Sequence, residues 1–138
     1  MNAALDIVEI QNVKSLYCEL TDLAATDGAK ADPALRAIMT EDITSYFSTM
    51  GEFNGRDVLV THMTTEMVSH IAWSWHAVHT PRIEVSGDTA TASWTLLLKV
   101  RLKHAPDEIM TMVGRYTDAF RRMPDGWKIS AIQWIAEA

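Results

Sequence analysis

The sequence predicts an α+β fold, a cone-shaped barrel in which three N-terminal helices pack on a curved, mostly antiparallel sheet. Two observations carry that prediction. Apolar residues in the first half recur at helical spacing, whereas from residue 72 onward they alternate with period two. Helical and strand segments are also segregated along the chain, which distinguishes α+β from alternating βαβ architectures. A length of 138 residues suits one core, so residues 1–138 are read as a single domain.

The first helix is predicted from residue 4 to about 25, with Leu5, Val8, Val13, Leu16, Leu20 and Leu23 on its apolar positions. "TDGAKAD" interrupts it. Asp32 followed by Pro33 reads as a capping carboxylate and a first-turn proline, so a short second helix, "PALRAIM", is placed there. "DITSYFSTMGEFNG" reads as a strand, a turn at Gly51 and a short return. Asp57 is the predicted cap of a third helix, with Val58, Leu59, His62, Met63, Glu66 and Met67 at helical spacing. The clearest strand is "TATASWTLLLKVRLK": Ala90, Ala92, Trp94, Leu96, Leu98, Val100 and Leu102 share one face, opposite mostly polar odd positions. "HAPDE" turns the chain back into a partner strand over 109–122, and "MPDG" leads into a last strand, "WKISAIQWI". A cone of this kind leaves a pocket where the first helix faces the sheet.

Composition excludes several classes of function. A net charge of −6 argues against nucleic acid, which requires a basic patch. No run of 18 apolar residues offers a membrane span, and the N-terminal stretch lacks the form of a secretory signal. A single cysteine, Cys18, rules out an internal disulfide and suits a cytoplasmic location. Five Trp and eight Met are available for a core, a pocket wall or a subunit interface.

The candidate chemistry centres on "IAWSWHAVH". In an extended chain Ser74 and His76 share one face, Trp73 and Trp75 the other, and His79 points away from His76. An imidazole facing an apolar pocket is suited to general-base work, although a lone histidine more often serves packing. Such a base needs an orienting acceptor. Asp22, Asp27 and Asp32 surround the end of the first helix. Asp32 reads as a cap, Asp27 as a turn residue before Gly28, and Asp22 as a solvated helix residue, so the residues themselves leave the partner open. Tyr46 and Tyr116 carry hydroxyls on strands. Asp118 shares a face with Gly114, Tyr116 and Phe120 and either enters the pocket or pairs with an arginine. His62, Glu66 and His70 fall on one helical face, but no second acid-rich segment completes a site, so no metal and no cofactor are expected. Phosphate loops, nucleophile elbows and Cys–His pairs are absent from the sequence.

"SLYCEL", "ALRAIMTEDI", "GR" before the third helix, "HAVHTPRIEVSGDTATA" and "GRYTDAFRRMPDGWKI" together resemble the SnoaL-like branch of the nuclear transport factor 2-like superfamily over nearly the whole chain. Within it, the sequence is most similar to the scytalone dehydratase and hexachlorocyclohexane dehydrochlorinase group. The resemblance implies a His–Asp dyad. His76 stands six residues before Arg82, as the group's histidine does before an arginine; Asp27 stands fifteen before Asp42, which selects Asp27 over Asp22. Tyr46, nineteen after Asp27, takes the place of a tyrosine that holds a water against the substrate carbonyl. Thr26 departs from a tyrosine found there in scytalone dehydratase. "LLLKVRLK" lacks that enzyme's second pocket histidine, and Ala131, Ile132 and Gln133 stand where the dehydrochlorinase has a basic residue. A ketosteroid isomerase pattern fits less well, since Ser48 lies where its base belongs.

The expected function is a cofactor-independent lyase, a dehydratase-type elimination on a small hydrophobic cyclic compound. The expected catalytic residues are His76, Asp27 and Tyr46, with Tyr17, Trp75, Tyr116 and Asp118 binding substrate. The alternatives are a non-catalytic hydrophobic-ligand-binding or assembly module of the same fold, or an isomerase. A homo-oligomer, dimer or trimer, is expected, because an open sheet bearing Trp94 and Trp134 needs covering.

Overall fold

The computed structural model describes residues 2–137. Its elements are α1 (Ala3–Ala24), α2 (Gly28–Ala37), β1 (Met39–Phe47), β2 (Gly51–Glu52), α3 (Arg56–Thr64), β3 (Ile71–Ser86), β4 (Thr89–Leu102), β5 (Ala105–Met123) and β6 (Gly126–Ala136). The six strands form one sheet in the order β2-β1-β6-β5-β4-β3. Every pairing is antiparallel except β1 with β6, which is parallel. The expected α+β cone, with three helices on a mostly antiparallel sheet, is what the chain forms.

Strand alternation sets the inner face. Ala90, Ala92, Trp94, Leu96 and Val100 of β4, Tyr116 and Phe120 of β5, and Ile132 and Trp134 of β6 are all buried. Gly114 makes room for Trp134: a Cβ there would lie 2.2 Å from the indole ring and 2.3 Å from the Ile135 carbonyl oxygen.

Helix α1 departs from its predicted orientation. Leu5, Val8 and Leu16 are exposed, while the buried face carries Asp6, Ile10, Lys14, Tyr17, Cys18, Leu20, Thr21 and Ala24. The cause is polar anchoring. Arg122 at the end of β5 donates to both Asp6 oxygens, at 2.8 and 3.0 Å, and the Trp127 indole N–H donates to Asp6 Oδ1 at 3.1 Å. Arg122 Nε also donates to Asp88 in the β3–β4 turn at 3.0 Å, so one guanidinium ties two turns of the sheet to the start of α1.

Several element boundaries also differ from prediction. α2 starts five residues before Pro33, at Gly28, because Asp27 rather than Asp32 caps it: the Asp27 side chain accepts from the Lys30 N–H at 3.1 Å. Asp32 instead pairs with Arg36 one turn on, at 2.8 Å. α3 is preceded by Gly55 at φ 93°, with no side-chain cap, and Asp57 binds Arg36. This helix stops at Thr64, so the three-residue face of His62, Glu66 and His70 is not formed, although His62 Nδ1 keeps a 3.6 Å contact with Glu66; His62 also stacks on Phe53 at 3.9 Å. The β4–β5 turn is tight, with Leu102 opposite Ala105, so most of "HAPDE" is already strand.

The Arg122 guanidinium and the Trp127 indole hold the Asp6 carboxyl below its ordinary value. A depressed folded-state value stabilises the fold above the unfolded-state pKa, and that stabilisation is lost as pH falls through the folded value. Asp6→Asn is therefore expected to lower the melting temperature at pH 7 by on the order of 5 °C. Thermal unfolding followed from pH 7 to pH 2 should show the gap closing at the acid end as the wild-type carboxylate protonates.

Candidate active site

A cavity of about 220 Å³ opens between α1, the loop after α3 and the inner face of the sheet. Its wall is mostly Phe47, Leu96, Leu98, Val100 and Trp134, and four methionines, Met50, Met67, Met110 and Met112, supply adaptable surface. The polar lining groups are Tyr17 and Thr21 on α1, Thr49, Ser74 and His76 on β3, and Tyr116 on β5. Among the described residues, no Lys, Arg, Asp or Glu is part of the lining.

His76 is fixed by Asp22. The imidazole Nδ1 lies 2.5 Å from Asp22 Oδ1, and the His76 backbone N–H donates to Asp22 Oδ2 at 3.1 Å. Ser74, two residues earlier on the same strand face, donates its hydroxyl to Oδ1 at 2.9 Å. Asp22 thus grips both ends of one β3 residue and its inward-facing neighbour. With Nδ1–H committed to the carboxylate, Nε2 is the ring nitrogen left to take a proton. The His76 side chain is 9% exposed and that of Asp22 23%.

Asp22, not Asp27, is therefore the partner of His76. Asp27 lies beyond the end of α1 on the exposed surface, occupied as the α2 cap. Tyr46 is likewise displaced from the site: it faces outward on β1, opposite Glu52, and is 40% exposed. Trp75 also points outward, 46% exposed, because strand alternation places it opposite to Ser74 and His76. Tyr17 and Tyr116 do line the cavity, their rings meeting edge to face at 6.0 Å.

Asp118 lies behind this wall and pairs with a lysine rather than an arginine. Lys14 Nζ is 2.8 Å from Asp118 Oδ2, both side chains fully buried. Burial pushes the Asp118 carboxyl above its ordinary value, and Lys14 pulls it back. Burial also raises both Tyr17 and Tyr116, whose hydroxyls interact with each other, so both phenols stay protonated at neutral pH. The Cys18 thiol is pushed up to about 11 by burial, which removes it as a nucleophile. Among the described residues no group of three His, Cys, Asp or Glu is placed to hold a metal ion. No described helix is long and apolar enough to cross a membrane.

The cone of helices on a curved sheet, with a pocket under α1, is the nuclear transport factor 2-like fold. The chain belongs to the family described as the SnoaL-like domain, whose model matches residues 2–133. Among solved structures, a nuclear transport factor 2-like superfamily protein from Salmonella enterica subsp. enterica serovar Typhimurium str. LT2 superposes with a TM-score of 0.84 at 17% identity, over 99% of this chain and 94% of that one. LinA gives 0.83 at 18% identity, over 98% and 88%. A Novosphingobium aromaticivorans protein provisionally named a scytalone dehydratase gives 0.84 at 16%, over 98% and 86%. Likeness at these identities establishes the fold. No curated protein sequence matches the chain.

The short imidazole–carboxylate contact should give a low-field Nδ1–H proton resonance. Asp22→Asn is expected to abolish it. Asp27→Asn should leave it in place and leave stability nearly unchanged, since Asn caps a helix about as well as Asp. Proton NMR of the three proteins decides between the two carboxylates.

Proposed function

We propose that this protein is a cofactor-independent lyase acting on a small, uncharged ring compound, with His76 as general base and Asp22 as its orienting carboxylate. The observation that carries this reading is the 2.5 Å contact between His76 Nδ1 and Asp22 Oδ1 at the wall of an otherwise apolar cavity. His76 Nε2 removes a proton beside a carbonyl or another withdrawing group, the freed electron pair forms the C=C bond as the β-hydroxyl or β-halide leaves, and the imidazolium, stabilised by the Asp22 carboxylate, returns its proton to the departing hydroxide or to solvent. The Tyr17 hydroxyl, backed by that of Tyr116, holds the substrate oxygen where charge develops, the part that the sequence resemblance gave to Tyr46. The apolar wall excludes water and favours a ring over a flexible or charged molecule. A lining without charged side chains leaves an anionic substrate no counter-charge.

The test is a panel of uncharged cyclic ketones bearing a β-hydroxyl or β-halide, followed for formation of the conjugated product and for exchange of the α-proton in deuterated water. His76→Ala and Asp22→Asn should each lower turnover by about 10²–10⁴-fold, with the fold retained by circular dichroism. Asp27→Asn should keep wild-type turnover. Full turnover in His76→Ala would overturn His76 as the base, whereas binding without turnover by the wild type would leave the cone as a binding module for the same class of molecule.

Assembly belongs to the same reading. Trp73, Trp75, Val113 and Ile135 lie on the outward face of the sheet and are 36–46% exposed. Trp75, Leu97, Val113 and Ile135 run diagonally across β3, β4, β5 and β6. A second copy of the chain is the partner this apolar diagonal suits. Sedimentation should show an oligomer that Trp75→Glu shifts to monomer; a wild-type monomer at micromolar concentration would refute the interface.

A further inference from the structure

The deepest polar group of the cone has no part in the dyad. Lys14 Nζ is enclosed by Asp118 Oδ2 at 2.8 Å, by the Tyr116 ring at 3.3 Å to its centroid and by the Tyr17 ring at 4.4 Å. Trp94 closes the far side at 5.5 Å. Apart from that carboxylate, no hydrogen-bond acceptor among the described residues meets the ammonium. Packing alone does not call for such a pair, because apolar residues of similar volume usually replace a buried ion pair without loss of stability. Both rings that pack against the ammonium are also walls of the cavity.

We propose that Lys14 is a positioning residue for ligand recognition. Held by Asp118, its ammonium lies over the faces of Tyr116 and Tyr17 and draws electron density from their rings, so that the coupled pair of phenols becomes a stronger donor to an oxygen on an uncharged ring ligand. Asp118 has two effects. It fixes the ammonium against the rings, and it cancels a charge that would otherwise attract anions into the cone. The cavity therefore reads a carbonyl through phenols that are polarised from behind, while presenting no ion of its own. The proposal rests on the reading of the cavity as a site for an oxygen-bearing ring.

Two probes of nearly equal size separate this effect from packing: acetophenone, which carries a carbonyl, and ethylbenzene, which does not. Their affinities are measured by NMR titration of the protein's amide resonances. The assay reads binding alone, so its outcome is independent of whether His76 removes a proton. Wild type should prefer acetophenone. Lys14→Met/Asp118→Asn, and as a second uncharged pair Lys14→Met/Asp118→Leu, should bind ethylbenzene as wild type does while the acetophenone preference falls at least about fivefold. Tyr17→Phe/Tyr116→Phe should lose the preference entirely.

Three outcomes overturn the proposal at the level of binding. They are no carbonyl preference in wild type, an unchanged preference in a folded uncharged-pair variant, and a preference that survives loss of both hydroxyls. Failure of both uncharged pairs to fold would assign Lys14 and Asp118 to stability alone and would overturn it equally.

Discussion

The seating of α1 across the sheet is the constraint on which the rest of the structure depends. Three ionisable residues on its buried side, Asp6, Lys14 and Asp22, are spaced eight residues apart, a little over two helical turns. Each meets a different part of the sheet: Asp6 meets Arg122 at the end of β5, Lys14 meets Asp118 within β5, and Asp22 meets Ser74 and His76 on β3. Apolar contacts tolerate a helix that slides or rolls by a few tenths of an ångström. Three directional charge contacts on one rigid rod do not, because a roll by one residue would separate all three pairs. The exposure of Leu5, Val8 and Leu16 follows from this choice of face.

The same seating explains how a strand histidine comes to be held in one orientation. The strand supplies the imidazole and the helix supplies the carboxylate, 54 residues apart in the chain. Their contact depends on where α1 lies, which the Asp6 and Lys14 anchors also fix. Asp22 accepts from the backbone of the residue whose ring it also holds, so orientation of the imidazole is tied to the position of the strand. Preorganisation here is built from secondary structure rather than from loops.

The α+β class, the inward face of β4 and the histidine were all legible in the sequence, because period-two alternation is a local signal that tertiary packing reinforces. Ser74 and His76 were placed on one face, and Trp73 and Trp75 on the other, by the same rule. The carboxylate was not legible. Counting back from the first strand to Asp27 assumes a fixed geometry across a helix end, and here Asp27 and Gly28 form the junction where α2 begins. A capping signal and a catalytic spacing compete at that residue, and the cap is what the backbone satisfies. Lys14 was missed because a lysine between Ile10 and Tyr17 reads as a solvated residue. The available clue was its eight-residue spacing from Asp6 and from Asp22, a polar stripe that an apolar periodicity search discards.

The strand order has a consequence for how the chain reaches this state. β6 comes last among the strands in sequence yet lies between β1 and β5, and among the described residues it is the one long neighbour of β1. Until β6 is available, β1 has only the two-residue β2 beside it, and Ile43 and Phe47 lack part of the core that buries them. During synthesis the first strand must wait for the last, through some eighty residues of chain, before the sheet can close. That interval is governed by loop-closure entropy rather than by local propensity, and it is when the unpaired edge of β1 is most open to mispairing with another chain.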